Sequence, residues 1–350
     1  MREIAVIGYA QSAQLRDAGS TNESEMIAPV VREVMASAGV TQKDIDFTCS
    51  GSCDYFQGAA FAFIEGLNAV ATVPPIRESH VEMDAAWALY EAALKIWCGE
   101  ADLCLVYGFS RSSPGELRSV LTLQLDPYYH VPLWPDSVSL AALQARALLD
   151  AGLVTEREMA EVVVRSRRDA KANPKAQLRG DFSVDQLLAE PGFVSPLRRH
   201  DCAPVSDGAS ALLLASAEAA RRLCARPAWI RGIDHRMETG TLGARDLTRS
   251  PSTRHAGLRA GVGAGPVEIA ELHAPFSHQE ILLSRELGLD ANVRINPSGG
   301  ALSGNVMMAA GLDRIGHVAK RIMEGEVSRG VAHATSGACL QQNLVAVLEA

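Results

Sequence analysis

The stretch AAWALYEAALKIWCGEADLCLVYGFS, from Ala85 to Ser110, constrains the fold more than any other. Its first part, AAWALYEAALKIWCGEA, has apolar residues nearly all round when wound as a helix, so the helix needs cover on every side. DLCLVYGFS follows at once as an apolar run without alternation, the pattern of a strand covered on both faces. A helix with no solvent face beside such a strand points to stacked α/β layers around a largely buried sheet.

The flanking sequence agrees. IAVIGYAQ is an apolar strand, NESEMIAPVVREVMASAGV is a helix with an acidic first turn and Gly39 as its stop, and IDFTCSGS is a second strand. From about Ser110 two helices follow, SVSLAALQARALLDAGL and TEREMAEVVVRSRRDAKANP, and then a loop-rich stretch to Cys202. This reads as an insertion over a sheet, a usual place for binding loops. Strand signals return at GASALLLAS, PAWIRGIDHR, PVEIAELHA and NLVAVLEA, with helices at SHQEILLSRELGL and after Asn305. The expected organisation is an N-terminal half (1–109), a helical loop domain (110–205) and a C-terminal half (206–350). No short-period repeat is visible. The Gly, Ser and Arg content of GTLGARDLTRSPSTRHAGLRAGVGAGP predicts a mobile loop.

Composition narrows the function classes. The chain has 350 residues, 47% hydrophobic and 21% charged, which suits a soluble globular protein. Its net charge of -8 and lack of a Lys/Arg run argue against nucleic acid as a partner. No run approaches the roughly 18 apolar residues of a membrane span. MREIAVIGYA lacks a signal-peptide cleavage pattern, so a cytoplasmic protein is expected. Seven cysteines (Cys49, Cys53, Cys98, Cys104, Cys202, Cys224 and Cys339) are odd in number and scattered, unlike a disulfide framework. The nine histidines show no metal-ligand spacing, and no metal is expected.

NPSGGALSGNVMMAAG (Asn296–Gly311) is a Gly-rich turn leading into small residues that read as a helix start. Backbone N–H groups at such a junction can bind an anion or an oxyanion. Together with GEADLCLVYGFS, DCAPVSDGASALLLAS and AELHAPFSHQEILLSRELGL, this segment resembles the thiolase superfamily, most of all its sterol-carrier-protein thiolases and lipid-transfer-protein aldolases. KANPKAQLRGDFSVDQLL is similar to part of the thiolase loop domain, and the order of motifs agrees over nearly the whole chain. The resemblance implies an α/β protein with the five-layer αβαβα thiolase fold: two mixed-sheet halves with buried helices plus a helical loop domain that binds acyl-CoA. It also implies a homodimer or heteromer, a CoA thioester as substrate and no tightly bound cofactor.

Set against the family's catalytic motifs, the sequence departs in several places. Counting back from Gly99 puts Glu82 where the family has its nucleophilic cysteine, with no cysteine nearby. Glu82 is a candidate carboxylate base; the plain alternative is that Glu82 or Asp84 caps the helix. The family's Gly-His-Pro turn aligns with GNV, so Asn305 replaces the histidine with a group that donates a hydrogen bond but takes no proton. His273 in ELHAPFS keeps the family's histidine and is the best candidate for binding the thioester oxygen or moving a proton. The second cysteine falls near Ser336, with Cys339 two to three residues late. Ser298, Gly299, Gly300 and Gly304 are expected to help bind the CoA ester.

The resemblance then implies a retro-aldol lyase acting on a bulky β-hydroxyacyl-CoA, possible steroid-derived substrates included, with a small OB-fold partner of the DUF35 type. The alternatives are a non-catalytic subunit that supports a catalytic thiolase-like partner, and a thiolase or acyltransferase with an altered site.

Overall fold

The structure, a computed structural model, describes residues 2–350. One mixed sheet of ten strands runs through the molecule. Its strands are β1 (Ile4–Gln11), β2 (Phe47–Gly51), β3 (Arg77–Val81), β4 (Leu103–Ser110), β5 (Gly208–Ser216), β6 (Ala228–Met237), β7 (Ile269–Leu272), β8 (Arg294–Ile295), β9 (Arg329–Ser336) and β10 (Gln342–Glu349). Their spatial order is β8-β7-β9-β10-β6-β1-β5-β4-β2-β3.

The order conceals a duplication. From the edge inward, β3, β2 and β4 pair in parallel, and β5 and β1 follow antiparallel. On the other side β8, β7 and β9 pair in parallel, and β10 and β6 follow antiparallel. The two halves meet where β1 pairs with β6 at Ala5–Trp229 and Val6–Ala228. β5 lies between β1 and β4, so Gly208–Ser216, which follows the insertion in the chain, pairs within the first half of the sheet. β5 supplies the antiparallel strand that links β1 to β4, and it is buried along its whole length.

The helices that build the layers and the cavity are α1 (Glu23–Ser37), α2 (Ala85–Trp97), α3 (Leu117–Leu123), α4 (Ser137–Asp150), α5 (Glu156–Asp169), α6 (Ala217–Leu223), α7 (Pro251–Ala260), α8 (Ser277–Glu286) and α9 (Ala310–Met323). α2 and α9 form the middle layer, packed on Val106, Leu212 and Leu214 of one half and on Ala332, Leu344 and Ala346 of the other. α1 and α6 cover the outer face of the first half. α7 and α8 cover that of the second, with α4 beside them. This is the αβαβα thiolase arrangement. Small residues make the middle layer thin: a Cβ on Gly108 would sit 2.4 Å from Met308 O, and one on Gly316 would sit 2.1 Å from the Tyr9 ring.

The segment read as a mobile loop contains α7. Pro251 starts it, Gly261 ends it at φ 86°, and Ser252, Thr253, Ala256, Gly257 and Ala260 are buried. Its small residues are packing residues: a Cβ on Gly232 of β6 would meet Ala260 O at 2.3 Å. No helix among the described residues is long and apolar enough to cross a membrane.

The Gly-rich segment is tied inward. Ser298 donates its N–H to Glu271 Oε1 at 2.9 Å and its hydroxyl to Glu271 Oε2 at 2.7 Å. Arg314 Nη1 donates to the same Oε2 and to Ser298 Oγ, each at 2.9 Å. All three residues are buried. Breaking such a pair leaves an unpaired buried charge, costing about 3–5 kcal/mol. Glu271→Ala should therefore unfold at markedly lower denaturant concentration with an unchanged m value, read by circular dichroism. Gly316→Ala should cost about 2 kcal/mol through overpacking on Tyr9, despite the better helix propensity of Ala, read as a lower Tm.

Candidate active site

A cavity of about 800 Å³ lies between the insertion and the ends of the central strands and helices. His273, Asn305 and Ser336 line it, so three residues far apart in the chain come together. Asp84 lines it as well. Glu82 does not: it is exposed, and its Oε1 accepts the N–H of Asp54 at 2.6 Å. The carboxylate at the start of the buried helix that reaches the cavity is Asp84, two residues later. Spacing to Gly99 measures chain length, whereas the start of the helix is set by its cap.

His273 follows β7 and is buried. The backbone N–H of Thr335 donates to its Nδ1 at 3.4 Å, so Nδ1 carries no proton. Nε2 therefore carries the hydrogen and donates to Asn305 Oδ1 at 3.1 Å. Burial, with Arg314 and His333 adding to it, pushes the imidazole down to about 3, so it stays neutral. Asn305 is held by its own N–H to Ser206 Oγ at 2.9 Å. With Oδ1 facing His273, the amide turns its NH₂ group the other way, where its recorded contact is the soft Met307 Sδ at 3.5 Å. The pair is thus a directed relay that ends in an amide donor. Ser336 ends β9 half-buried at the cavity wall.

Asp84 caps α2 by accepting the Ala86 N–H on Oδ1 at 2.8 Å. It also accepts N–H groups from the first turn of α9: Gly311 on Oδ2 at 2.8 Å and Leu312 on Oδ1 at 3.2 Å. The anion held at the junction after the Gly-rich turn is a side chain of the protein. Burial pushes the Asp84 carboxyl up to about 7, against the lowering by these N–H groups, and nearby Asp313 adds to the rise.

Ser298, Gly299, Gly300 and Gly304 do not line the cavity. Ser298 is turned to Glu271 and Arg314, Gly299 O accepts the Ser166 hydroxyl at 2.6 Å, and a Cβ on Gly304 would strike Gln14. The turn shapes the wall that carries Asn305, and its polar groups face the core. Two thiols line the cavity, Cys202 and Cys339. Burial pushes them up to about 12 and about 11, so both remain protonated.

Sequence reasoning assigned acyl-CoA binding to the insertion but named none of its lining residues. Apolar side chains such as Leu117, Leu121, Val138 and Phe193 line the cavity beside His200, whose Nδ1 lies 2.8 Å from Glu190 Oε2. Arg118 pairs with Asp136 at 2.8 Å. Arg16, Arg179 and Arg199 also line the cavity, are exposed, and have no carboxylate partner among the described residues. The loop-rich character of LRGDF and PLRRHDC hinted at Arg179 and Arg199, and nothing pointed to Arg16.

No family model matches the chain. It is 26% identical over 378 residues to an acetyl-CoA acetyltransferase of Methanothermobacter thermautotrophicus, covering 96% of this chain and 97% of the relative. It is 28% identical over 237 residues to a 17-hydroxy-3-oxo-4-pregnene-20-carboxyl-CoA lyase of Mycobacterium tuberculosis, covering 64% of this chain and 60% of that one. Among solved structures, an Ltp2-ChsH2(DUF35) aldolase superposes with a TM-score of 0.79 at 19% identity, covering 99% of this chain and 98% of the other. Human mitochondrial 3-ketoacyl-CoA thiolase superposes with a TM-score of 0.79 at 15% identity, covering 100% and 99%. Fold, layer order and sequence similarity agree: the chain has the thiolase fold and is similar along its length to enzymes of the thiolase superfamily.

Proposed function

We propose that this protein is an acyl-CoA carbon–carbon lyase of the retro-aldol type, built on the thiolase fold and working without a nucleophilic thiolate. The observation that carries the reading is the absence of a usable thiolate in the cavity among the described residues. The buried helix starts at Asp84, and Cys202 and Cys339 are held as neutral thiols. A Claisen cleavage needs a thiolate to take the acyl group. A retro-aldol cleavage needs only a base for the β-hydroxyl and donors for the enolate oxygen of the thioester.

The His273–Asn305 relay suits the second demand. It aims a fixed amide N–H without carrying charge, so the donor needs no reorganisation as negative charge develops. In this role Asn305 binds the enolate oxygen and His273 positions Asn305. Ser336 is assigned to the substrate hydroxyl. The unpaired Arg16, Arg179 and Arg199 suit the phosphates of a CoA ester, and the apolar wall of the insertion suits a bulky acyl group. Residues 110–205 then act as the acyl-CoA-binding domain, and a steroid-derived acyl group is consistent with the lyase relative. The similarity to the aldolase complex supports a DUF35-type OB-fold partner. β3 at the sheet edge offers an unpaired edge for a second copy.

The test offers β-hydroxyacyl-CoA and β-ketoacyl-CoA esters, with and without an OB-fold partner, and follows release of the shorter acyl-CoA. Cleavage of the hydroxy ester is expected to survive alkylation of every cysteine. CoA-dependent cleavage of the keto ester that alkylation abolishes would overturn the reading, and no turnover in any combination would favour a non-catalytic subunit. Asn305→Ala should lower kcat by roughly 10²–10³-fold, the usual loss for one oxyanion donor. His273→Ala should lower kcat with little change in KM, and His273→Gln, whose amide can still donate to Asn305 Oδ1, should recover part of it.

A further inference from the structure

We infer that Asp84 is the group that takes and returns the proton in this cavity. The inference deepens the lyase reading and depends on it only for the identity of the substrate. Elimination is the first ground. Both ring nitrogens of His273 are engaged, Asn305 has no basic site, and the hydroxyl of Ser336 is too weak a base. Cys202 and Cys339 hold their protons. His200 is wedged between Glu190 at 2.8 Å and Asp201 at 3.8 Å, on the insertion side. Glu190, the other carboxylate that lines the cavity, is held against His200 on that same side, which leaves Asp84 as the proton acceptor packed toward the His273–Asn305 pair.

Geometry is the second ground. A Cβ placed on Gly311 would lie 2.5 Å from Asp84 Oδ1 and 2.5 Å from the Ala334 methyl, so the carboxylate sits beside the residue that precedes Thr335. Thr335 in turn holds His273. On the other flank, the N–H of Ala85 donates to Met308 O at 2.9 Å, and Met307 touches the Asn305 amide. A carboxylate has about four acceptor positions. The N–H groups of Ala86, Gly311 and Leu312 take three of them, which leaves one on Oδ2.

The charges around Asp84 leave it free to titrate. Asp313 on α9 opposes its ionisation, Arg314 is paired with Glu271, and α2 has no acidic group in its first turn. β2 and β4 bring no charged side chain, and burial keeps His273 and His333 neutral. Burial and the two helix starts pull in opposite directions, and the carboxyl ends up near the pH at which general bases work best.

The chemistry balances on this residue. Asp84 takes the proton of the β-hydroxyl, and the O–H electron pair becomes the second bond of the released carbonyl. The Cα–Cβ bond breaks, and its electron pair moves into the thioester as an enolate whose oxygen accepts the Asn305 N–H. The protonated Asp84 then returns the proton to Cα. No oxidant, reductant or further reactant is needed.

Exchange of the α-protons of propionyl-CoA in D₂O, followed by NMR, tests this proton transfer without any bond cleavage. The wild-type rate should rise with pH through one ionisation near 7 and level off above it, because the base acts only when deprotonated. Asp84→Asn should lose at least about 100-fold in exchange while melting cooperatively and binding propionyl-CoA within a few-fold of wild type. His200→Asn should keep the ionisation. A wild type that exchanges no α-proton, or a flat profile from about pH 5.5 to 8.5, would overturn the inference even if Asp84→Asn fails to fold. So would loss of the ionisation in His200→Asn with its retention in Asp84→Asn. Exchange that depends on Asp84 without cleavage of any hydroxyacyl ester would sink the lyase reading alone. Cleavage that Asp84→Asn retains would sink this inference alone.

Discussion

The structure turns on one carboxylate that serves two helix starts. Duplication of the half-sheet brings α2 and α9 into the middle layer with their N-termini at the same point. N–H groups in the first turn of a helix have no partner within it, and here water does not reach them. Asp84 accepts from Ala86 of one helix and from Gly311 and Leu312 of the other, and Ala85 gives its N–H to Met308 O. Without an acceptor at this point, both buried helices would begin with unsatisfied donors, each costing about 1–3 kcal/mol.

The polar groups that set the Gly-rich turn and the cavity wall follow the same rule of pairing. Arg314 is neutralised by Glu271, and that pair holds Ser298 and the Gly-rich turn in place. The turn then delivers Asn305 to the cavity wall. A backbone N–H fixes the tautomer of His273, and His273 fixes the orientation of the Asn305 amide. The last two links are neutral donors meeting acceptors, so the His273–Asn305 pair acquires direction without acquiring charge. Asp84 is an ionisable group on the same cavity, and burial is what makes its protonation state responsive.

In the proposed lyase these features stand in for cysteine chemistry on the same architecture. A helix start that would favour a thiolate is occupied by an oxygen anion of the chain. The position of a family histidine holds an amide, and the remaining donor is neutral. Arg179, Arg199 and the apolar wall come from the insertion, and Arg16 joins them from the N-terminal half.

Much of this was legible in the residues. The apolar helix before DLCLVYGFS required layers on both sides of it, and α2 is buried between the half-sheets. Strands with continuous apolar runs, such as β4 and β5, were read correctly, because burial on both faces leaves an unmistakable composition. β3, with the sequence RESHV, was not seen, because an edge strand exposed along its length carries no apolar signal. α7 was mistaken for a loop, because small residues chosen for close packing resemble those chosen for flexibility. The sequence by itself pointed to the layered fold and to a histidine and an asparagine as separate candidates, and the structure brings the two together. Only the tertiary structure decided that Asp84 rather than Glu82 faces the cavity, and that the polar groups of the Gly-rich turn face the core. Those choices depend on where two helices begin relative to each other, a distance between segments more than two hundred residues apart, which no local pattern records.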